Sequence, residues 1–329
     1  MPPPLTTIPA VKVLYIAGSG RSGSTLLTQI LDQVDGVTGS GELRFLWERG
    51  LLEDRLCGCG KHFSHCPVWK AVIDEAFGGP RGVDAQAAVA DLAGPSRVRR
   101  LPRLLLAARR GRAGPGLGPD QVARLQRLYQ AIPAVTGAAV VVDSSKLPPY
   151  GQLLHQVAGI ELYVVHLVRD PRAAAFSWTR KKALPDRGEG AVMASQGVGR
   201  SAVLWTIWNG TTELLWGRHG NRYLRLRYED LVADLRGSVA QVLDLVGLGV
   251  GDDSFLGAGT VTLGVTHSVA GNPGRLVHGS VPVRLDDEWA RKMPRRDKAL
   301  VTALTWPLLL RYRYPLRAVP GKVSAGVSG

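Results

Sequence analysis

The run Val11-Lys12-Val13-Leu14-Tyr15-Ile16-Ala17 passes directly into Gly18-Ser19-Gly20-Arg21-Ser22-Gly23, and then into a segment where Leu26, Leu27, Ile30, Leu31 and Val34 recur at helical spacing. A mostly apolar, β-prone run that ends on glycine reads as a buried parallel strand. The spacing after Ser24 predicts a helix that stops at Gly36. Strand, glycine-rich turn and helix start together aim backbone N–H groups and the positive end of the helix dipole at one point, a setting that suits a phosphate. This unit constrains the chain more than any other feature, because it commits the N-terminal part to an α/β arrangement.

Further strands are expected at residues 138–143 and 162–168, both largely apolar, and at 222–227, each before a helical pattern. The expected fold is therefore α/β, a P-loop-type central parallel β-sheet flanked by helices, with ligands bound beyond the carboxyl ends of the strands. A length of 329 residues with 45% hydrophobic content is enough for a large core. Residues 1–317 read as a single domain. Within it, 78–119 are a variable helical insertion or lid bracketed by Gly/Pro-rich turns, and 185–199 a mobile loop. Residues 318–329 read as a flexible tail. No internal repeat is visible.

The spacing Gly18-x4-Gly23 followed by Ser24 and Thr25 matches a nucleoside-triphosphate P-loop at every position but one. Ser24 stands where the phosphate-gripping lysine belongs. Arg21, three residues earlier, can supply the missing charge from inside the turn. A kinase or NTPase remains the alternative reading, with Asp143 at the end of Val140-Val141-Val142 as its magnesium ligand.

With Val168-Arg169-Asp170-Pro171-Arg172 and Ser177 added, the chain resembles the sulfotransferase family that uses 3′-phosphoadenosine 5′-phosphosulfate, in particular bacterial members of the glutamate-base type acting on carbohydrates and lipids. The resemblance runs from about residue 11 to 289 with the motifs in family order. It implies that Gly20, Arg21, Ser22, Gly23, Ser24 and Thr25 hold the 5′-phosphosulfate, and that Arg169 and Ser177 hold the 3′-phosphate. Arg169 at a strand end offers a bidentate fork, and Pro171 suits a first helical turn. Tyr228, in Arg227-Tyr228-Glu229-Asp230-Leu231, is implied to lie by the adenine. Arg275, at the end of the loop that starts at Thr266-His267-Ser268, is implied to reach the 3′-phosphate.

Sulfuryl transfer needs positive charge by the leaving oxygen and a base for the acceptor proton. The resemblance implies Arg21 for the first and Glu42, in Ser40-Gly41-Glu42-Leu43-Arg44, for the second, with Ser144 and Lys146 near the substrate. No catalytic metal is expected. The acceptor would be a small molecule, glycan or lipid; the sequence names neither it nor the oligomeric state.

Other features bound the reading. The net charge of +14 favours an anionic partner, yet the arginine runs lack interleaved aromatic residues and any recognised nucleic-acid motif. A nucleic-acid binder is thus a remote alternative. The basic amphipathic stretch with Leu101, Leu104, Leu105 and Leu106 would pack on its own domain, so membrane contact is not expected. The absence of a charged and apolar leader, and an odd cysteine count of three, point to a reducing cytoplasm. Cys57-Gly58-Cys59 with His62, His65 and Cys66 offers enough ligands for zinc, but the Cys-Gly-Cys spacing is tight. A packed thiol cluster ahead of a helix at Pro67 is expected instead.

Overall fold

The computed structural model describes residues 10–94, 97–110, 117–188 and 190–317; the tail expected at 318–329 lies outside them. The first predicted strand forms as β1, Val11–Ala17, and alternates as a two-sided strand must. Val13 and Tyr15 enter one apolar core, while Leu14 and Ile16 enter a second core on the other face. Being buried on both faces is what makes the run almost continuously apolar.

Around β1 stand β2 (Val37–Gly41), β3 (Val140–Lys146), β4 (Ile160–Val168) and β5 (Tyr223–Arg227), in the order β2-β3-β1-β4-β5. All four pairings are parallel. The helices between them flank the sheet, so the expected α/β architecture with a central parallel sheet is present. The order places β1 at the centre. The turn after β1 therefore opens at the carboxyl edge of the sheet, between the ends of β3 and β4, where a ligand gains donors from several strands.

Two elements depart from the sequence reading. The first helix, Ser24–Leu31, ends well before Gly36, and Val37–Gly41 is an edge strand. Its sequence, Val-Thr-Gly-Ser-Gly, lacks the β-branched and aromatic content that marks a strand. Tertiary pairing with β3 supplies what propensity does not. A second, antiparallel sheet of β6 (Leu256–Gly257), β7 (Thr260–Leu263) and β8 (Gly279–Pro282) was likewise not expected.

The 78–119 segment includes the helices Ala85–Ala93 and Leu101–Arg109. Ala88, Leu101 and Leu104 are buried in the same core as Val13, so this basic helix spends the inner part of its apolar face on its own fold. Leu106 stays half exposed. Among the described residues, no helix is long and apolar enough to cross a membrane. The expected mobile loop begins inside a small hairpin, in which Leu184 N–H donates to Ala191 O and Met193 N–H to Lys182 O.

Candidate active site

The loop after β1 turns back sharply enough to need Gly23 at φ 94°, a left-handed conformation that glycine adopts without cost. A methyl group there would also come within 2.5 Å of the Tyr228 ring. Ser24 then opens the helix with no side chain capping its first turn, which leaves the N-terminal N–H groups facing a cavity of about 590 Å³. Gly20, Arg21, Gly23, Ser24 and Thr25 all line that cavity, as do Glu42, Lys146, Arg169 and Ser177. Residues from Gly18 to Val281 are brought to one concavity.

Arg21 sits at φ 69°, unusual for a residue with a side chain. The conformation throws its guanidinium across the cavity. There Nε donates to Ser177 Oγ at 3.0 Å, Nη2 to Ser177 O at 3.4 Å, and the group lies over Trp178. Burial, followed by the neighbouring Arg169 and Arg180, lowers its pKa to about 10, so it remains a cation at neutral pH. Arg169 donates to Arg21 O at 3.2 Å, pairs with Asp286 at 3.3 Å, and stacks on Tyr228.

Arg169 Nε is buried and has no partner in the protein, and Ser22, expected in the phosphate loop, is buried without lining the cavity, its Oγ likewise unpartnered. A buried donor left unsatisfied is costly, so Arg169 Nε marks a place made for an anionic or strongly accepting group. Arginines crowded against one another carry the same meaning, since mutual repulsion is relieved by an anion.

Glu42 occupies the opposite wall, at the end of β2. Lys146 Nζ donates to its Oε1 at 2.6 Å, and the two side chains are only 13% and 14% exposed. Burial acts to raise the Glu42 pKa, but Lys146, Arg49 and Arg44 outweigh it and hold the carboxyl below its ordinary value. Glu42 is therefore an ionised acceptor at neutral pH. Lys146 reaches it from φ 67° while donating also to Ser144 O. Behind the pair, the guanidiniums of Arg44 and Arg49 both lie over the Phe45 ring, with 4.0 Å and 3.6 Å to its centre.

Several expected residues are placed differently. Ser144 is buried and does not line the cavity, whereas Ser145 does. β3 runs on to Lys146 with an irregular register against β1, where the neighbouring Ser145 and Lys146 both line the cavity. Arg275 also fails to reach the cavity. It is buried at 1% exposure and pairs with Asp186, itself at 4%, at 2.8 Å, while also donating to Leu56 O. Its charge is committed to clipping the 182–193 hairpin to the C-terminal loop.

Tyr228 does not line the cavity directly; it buttresses Gly23 and Arg169 from behind. Asp143, the magnesium ligand of the NTPase alternative, is fully buried. It accepts from Tyr129 OH, Ser145 N–H, Ser145 Oγ and, at 3.3 Å, Leu43 N–H. Burial pushes its pKa up to about 6 against those donors.

Sequence reasoning also missed Asp286 and Trp178, which no spacing signal connects to the loop, and it chose the wrong histidines beside the cysteines. His62 Nδ1 is turned to Asp54 O at 2.6 Å, and His65 to Ser64. His267 comes in instead, its Nδ1 at 3.2 Å from Cys66 Sγ and 3.9 Å from Cys57 Sγ. The sulfurs of Cys57, Cys59 and Cys66 and a ring nitrogen of His267 all lie within 4.8 Å of one another. This is a set of metal-ligand type, contrary to the expectation of thiols alone.

The sulfotransferase domain family matches residues 141–262 of the chain. Among solved structures, the chain is similar to the sulfotransferase domain of the olefin synthase from Synechococcus PCC 7002, with 22% identity, a TM-score of 0.52, and coverage of 95% of this chain and 98% of that one. It is also similar to the sulfotransferase domain from the curacin biosynthetic pathway, at 18% identity and a TM-score of 0.51, covering 95% of this chain and 100% of that one. These two likenesses concern the fold. No match is found among curated proteins.

Proposed function

We propose, from the premise that this chain belongs to the sulfotransferase family and transfers a sulfuryl group from 3′-phosphoadenosine 5′-phosphosulfate to an acceptor, that the cavity between the 18–25 loop and Glu42 is where the transfer takes place. The observation carrying this reading is the convergence of Arg21, Ser177 and Arg169, with its buried and unpartnered Nε, on a cavity that also holds the ionised carboxylate of Glu42.

In this reading the loop is of the P-loop type with its cation moved from position 24 to position 21. The N–H groups of Gly20 to Thr25 and the helix N-terminus hold the 5′-phosphosulfate. Arg169, stacked on Tyr228 and free at Nε, takes the 3′-phosphate together with Ser177. Arg21, already hydrogen-bonded to Ser177, lies between these two groups and stabilises the charge that develops on the leaving phosphate oxygen. Arg275 has no part in this, because its charge is held by Asp186.

The acceptor is a hydroxyl-bearing small molecule, glycan or lipid entering over Phe45 and Trp208, which line the same cavity. Glu42 accepts the hydroxyl proton as the new S–O bond forms and the bond from sulfur to the 5′-phosphate oxygen breaks. Lys146 keeps Glu42 ionised and aimed. The step calls for no magnesium. A sulfonate carries less charge than a terminal phosphate, Arg21 supplies the needed cation, and the four hydrogen bonds at Asp143 leave that carboxylate unsuited to a metal.

Thermal denaturation tests the donor site. Adenosine 3′,5′-bisphosphate raises the melting temperature and ADP with Mg²⁺ does not, because a ligand stabilises only the state that binds it. The difference between the two shrinks in Arg169→Met. The reverse ranking of the two nucleotides overturns the assignment.

A further inference from the structure

The cysteine and histidine cluster lies outside the chemistry just described. Its four ligand atoms come from two stretches of chain, residues 57–66 and His267, which are some 200 positions apart, yet all lie within 4.8 Å of one another. A tetrahedral zinc ion with thiolates at about 2.3 Å separates its sulfurs by roughly 3.8 Å. The cluster is thus already close to the size that the ion requires. Packed thiols alone do not require a histidine, whereas His267 aims Nδ1 at two of the sulfurs.

The surrounding backbone is arranged to bring the two stretches together. Gly58 N–H donates to Ser268 O at 2.9 Å, and a side chain at Gly58 would come within 2.7 Å of Thr266 Oγ1 and 2.8 Å of Thr266 O. Cys57 N–H donates to Lys61 O and Gly60 N–H to Cys57 O, closing a tight turn around the first two cysteines. Trp69 Nε1 donates to His267 O at 2.7 Å and fixes the histidine from behind, the kind of outer support that ligating residues receive. Cys66 is the N-cap of the helix Pro67–Phe77, where the helix dipole favours a thiolate.

We propose that Cys57, Cys59, Cys66 and His267 bind one zinc ion, which fastens the 57–66 segment to the loop that follows Thr266. Three thiolates and one imidazole in a closed tetrahedral set select zinc over magnesium or calcium, and four protein ligands leave no position for substrate. The ion is structural. Its consequence for the cavity runs through the backbone a few residues on. Ala270 O accepts from Glu42 N–H at 3.2 Å, and Asn272 N–H donates to Thr25 Oγ1 at 3.4 Å. Zinc would hold in register the loop that backs both the carboxylate and the donor loop.

The test is elemental analysis of the full chain purified under reducing conditions, with thermal denaturation alongside. About one zinc per chain is expected, falling below roughly a tenth of an equivalent in Cys66→Ser, with a drop in melting temperature when a strong chelator is added to the parent protein. His267→Cys retains the metal, and cobalt exchanged into the parent shows the visible bands of a tetrahedral thiolate site. A folded, metal-free protein with three titratable thiols and a melting temperature indifferent to zinc overturns the proposal. A disulfide among the cysteines, or iron with sulfide in place of zinc, does the same. None of these readouts involves turnover, so this site stands or falls separately from the sulfotransferase reading.

Discussion

The two walls of the cavity are built in different ways. The donor wall is dominated by one contiguous stretch, residues 18–25, whose strand, turn and helix follow from local sequence. The opposite wall joins Glu42 to Lys146 across 104 positions, and is backed by the loop that carries Ala270 and Asn272. The donor wall takes its turn and N–H groups from local backbone, to which Arg169 and Ser177 are joined through Arg21. The opposite wall depends on pairings between distant charges, each of which fails when one partner is removed. The turn at residues 18–23 is thus a local construction, whereas the placing of Glu42 against Lys146 is a long-range one.

Three substitutions test that contrast. Glu42→Gln should leave stabilisation by adenosine 3′,5′-bisphosphate unchanged and lower turnover by about 10²- to 10⁴-fold, the usual contribution of a general base. Unaltered turnover would remove Glu42 from the mechanism, and lost nucleotide stabilisation would mean that the walls are not separable. Arg275→Met should destabilise the fold by about 3 kcal/mol or more in chemical denaturation, because it strands the buried Asp186 carboxylate. It should leave intact the preference for a nucleotide bearing a 3′-phosphate; loss of that preference with stability preserved would restore Arg275 as a ligand.

The smallest effect is a pH profile. Glu42 is held below its ordinary pKa chiefly by Lys146 working against burial, so turnover in the parent should stay level from neutral pH down into the acid range. Lys146→Met removes the largest of the effects that oppose burial, leaving only Arg49 and Arg44, and so raises the Glu42 pKa. The acid limb should then move toward neutral, so that the variant loses more activity at about pH 6 than at about pH 8. The sign for stability agrees. A carboxyl whose pKa is depressed in the folded state contributes stability above its unfolded value, and that stability is lost as pH falls through the folded one. An unmoved acid limb would show that Lys146 does not tune Glu42.

Much of this was legible before the fold was known. Three of the five strands of the parallel sheet, β1, β3 and β4, stand out as apolar runs because they are buried on both faces, and β5 stands out only by its place before a helical pattern. β2 does not, since Val37-Thr38-Gly39-Ser40-Gly41 becomes a strand only through its pairing with β3. Gly20, Arg21, Gly23, Ser24, Thr25, Arg169 and Ser177, singled out by their places near strand ends and helix starts, meet at one cavity. Ser144 is buried away from the cavity that Ser145 and Lys146 line, at an irregularity in register that local spacing does not reveal. Arg275 looked like a ligand by its place in a loop motif; its partner, Asp186, lies 89 positions away where no pattern connects them.

The sequence alone pointed to the parallel α/β sheet and to the glycine-rich turn, Arg21 within it, that joins β1 to the first helix. These depend on contacts within a few residues, where periodicity and glycine placement leave little freedom. Tertiary structure alone decided that Lys146 meets Glu42, that Arg275 is held by Asp186, and that His267 rather than His62 or His65 completes the cysteine cluster. Each is a meeting of side chains far apart in the chain. Which partner a buried charge or thiol finds is set by how the elements pack, and packing is not written in local spacing.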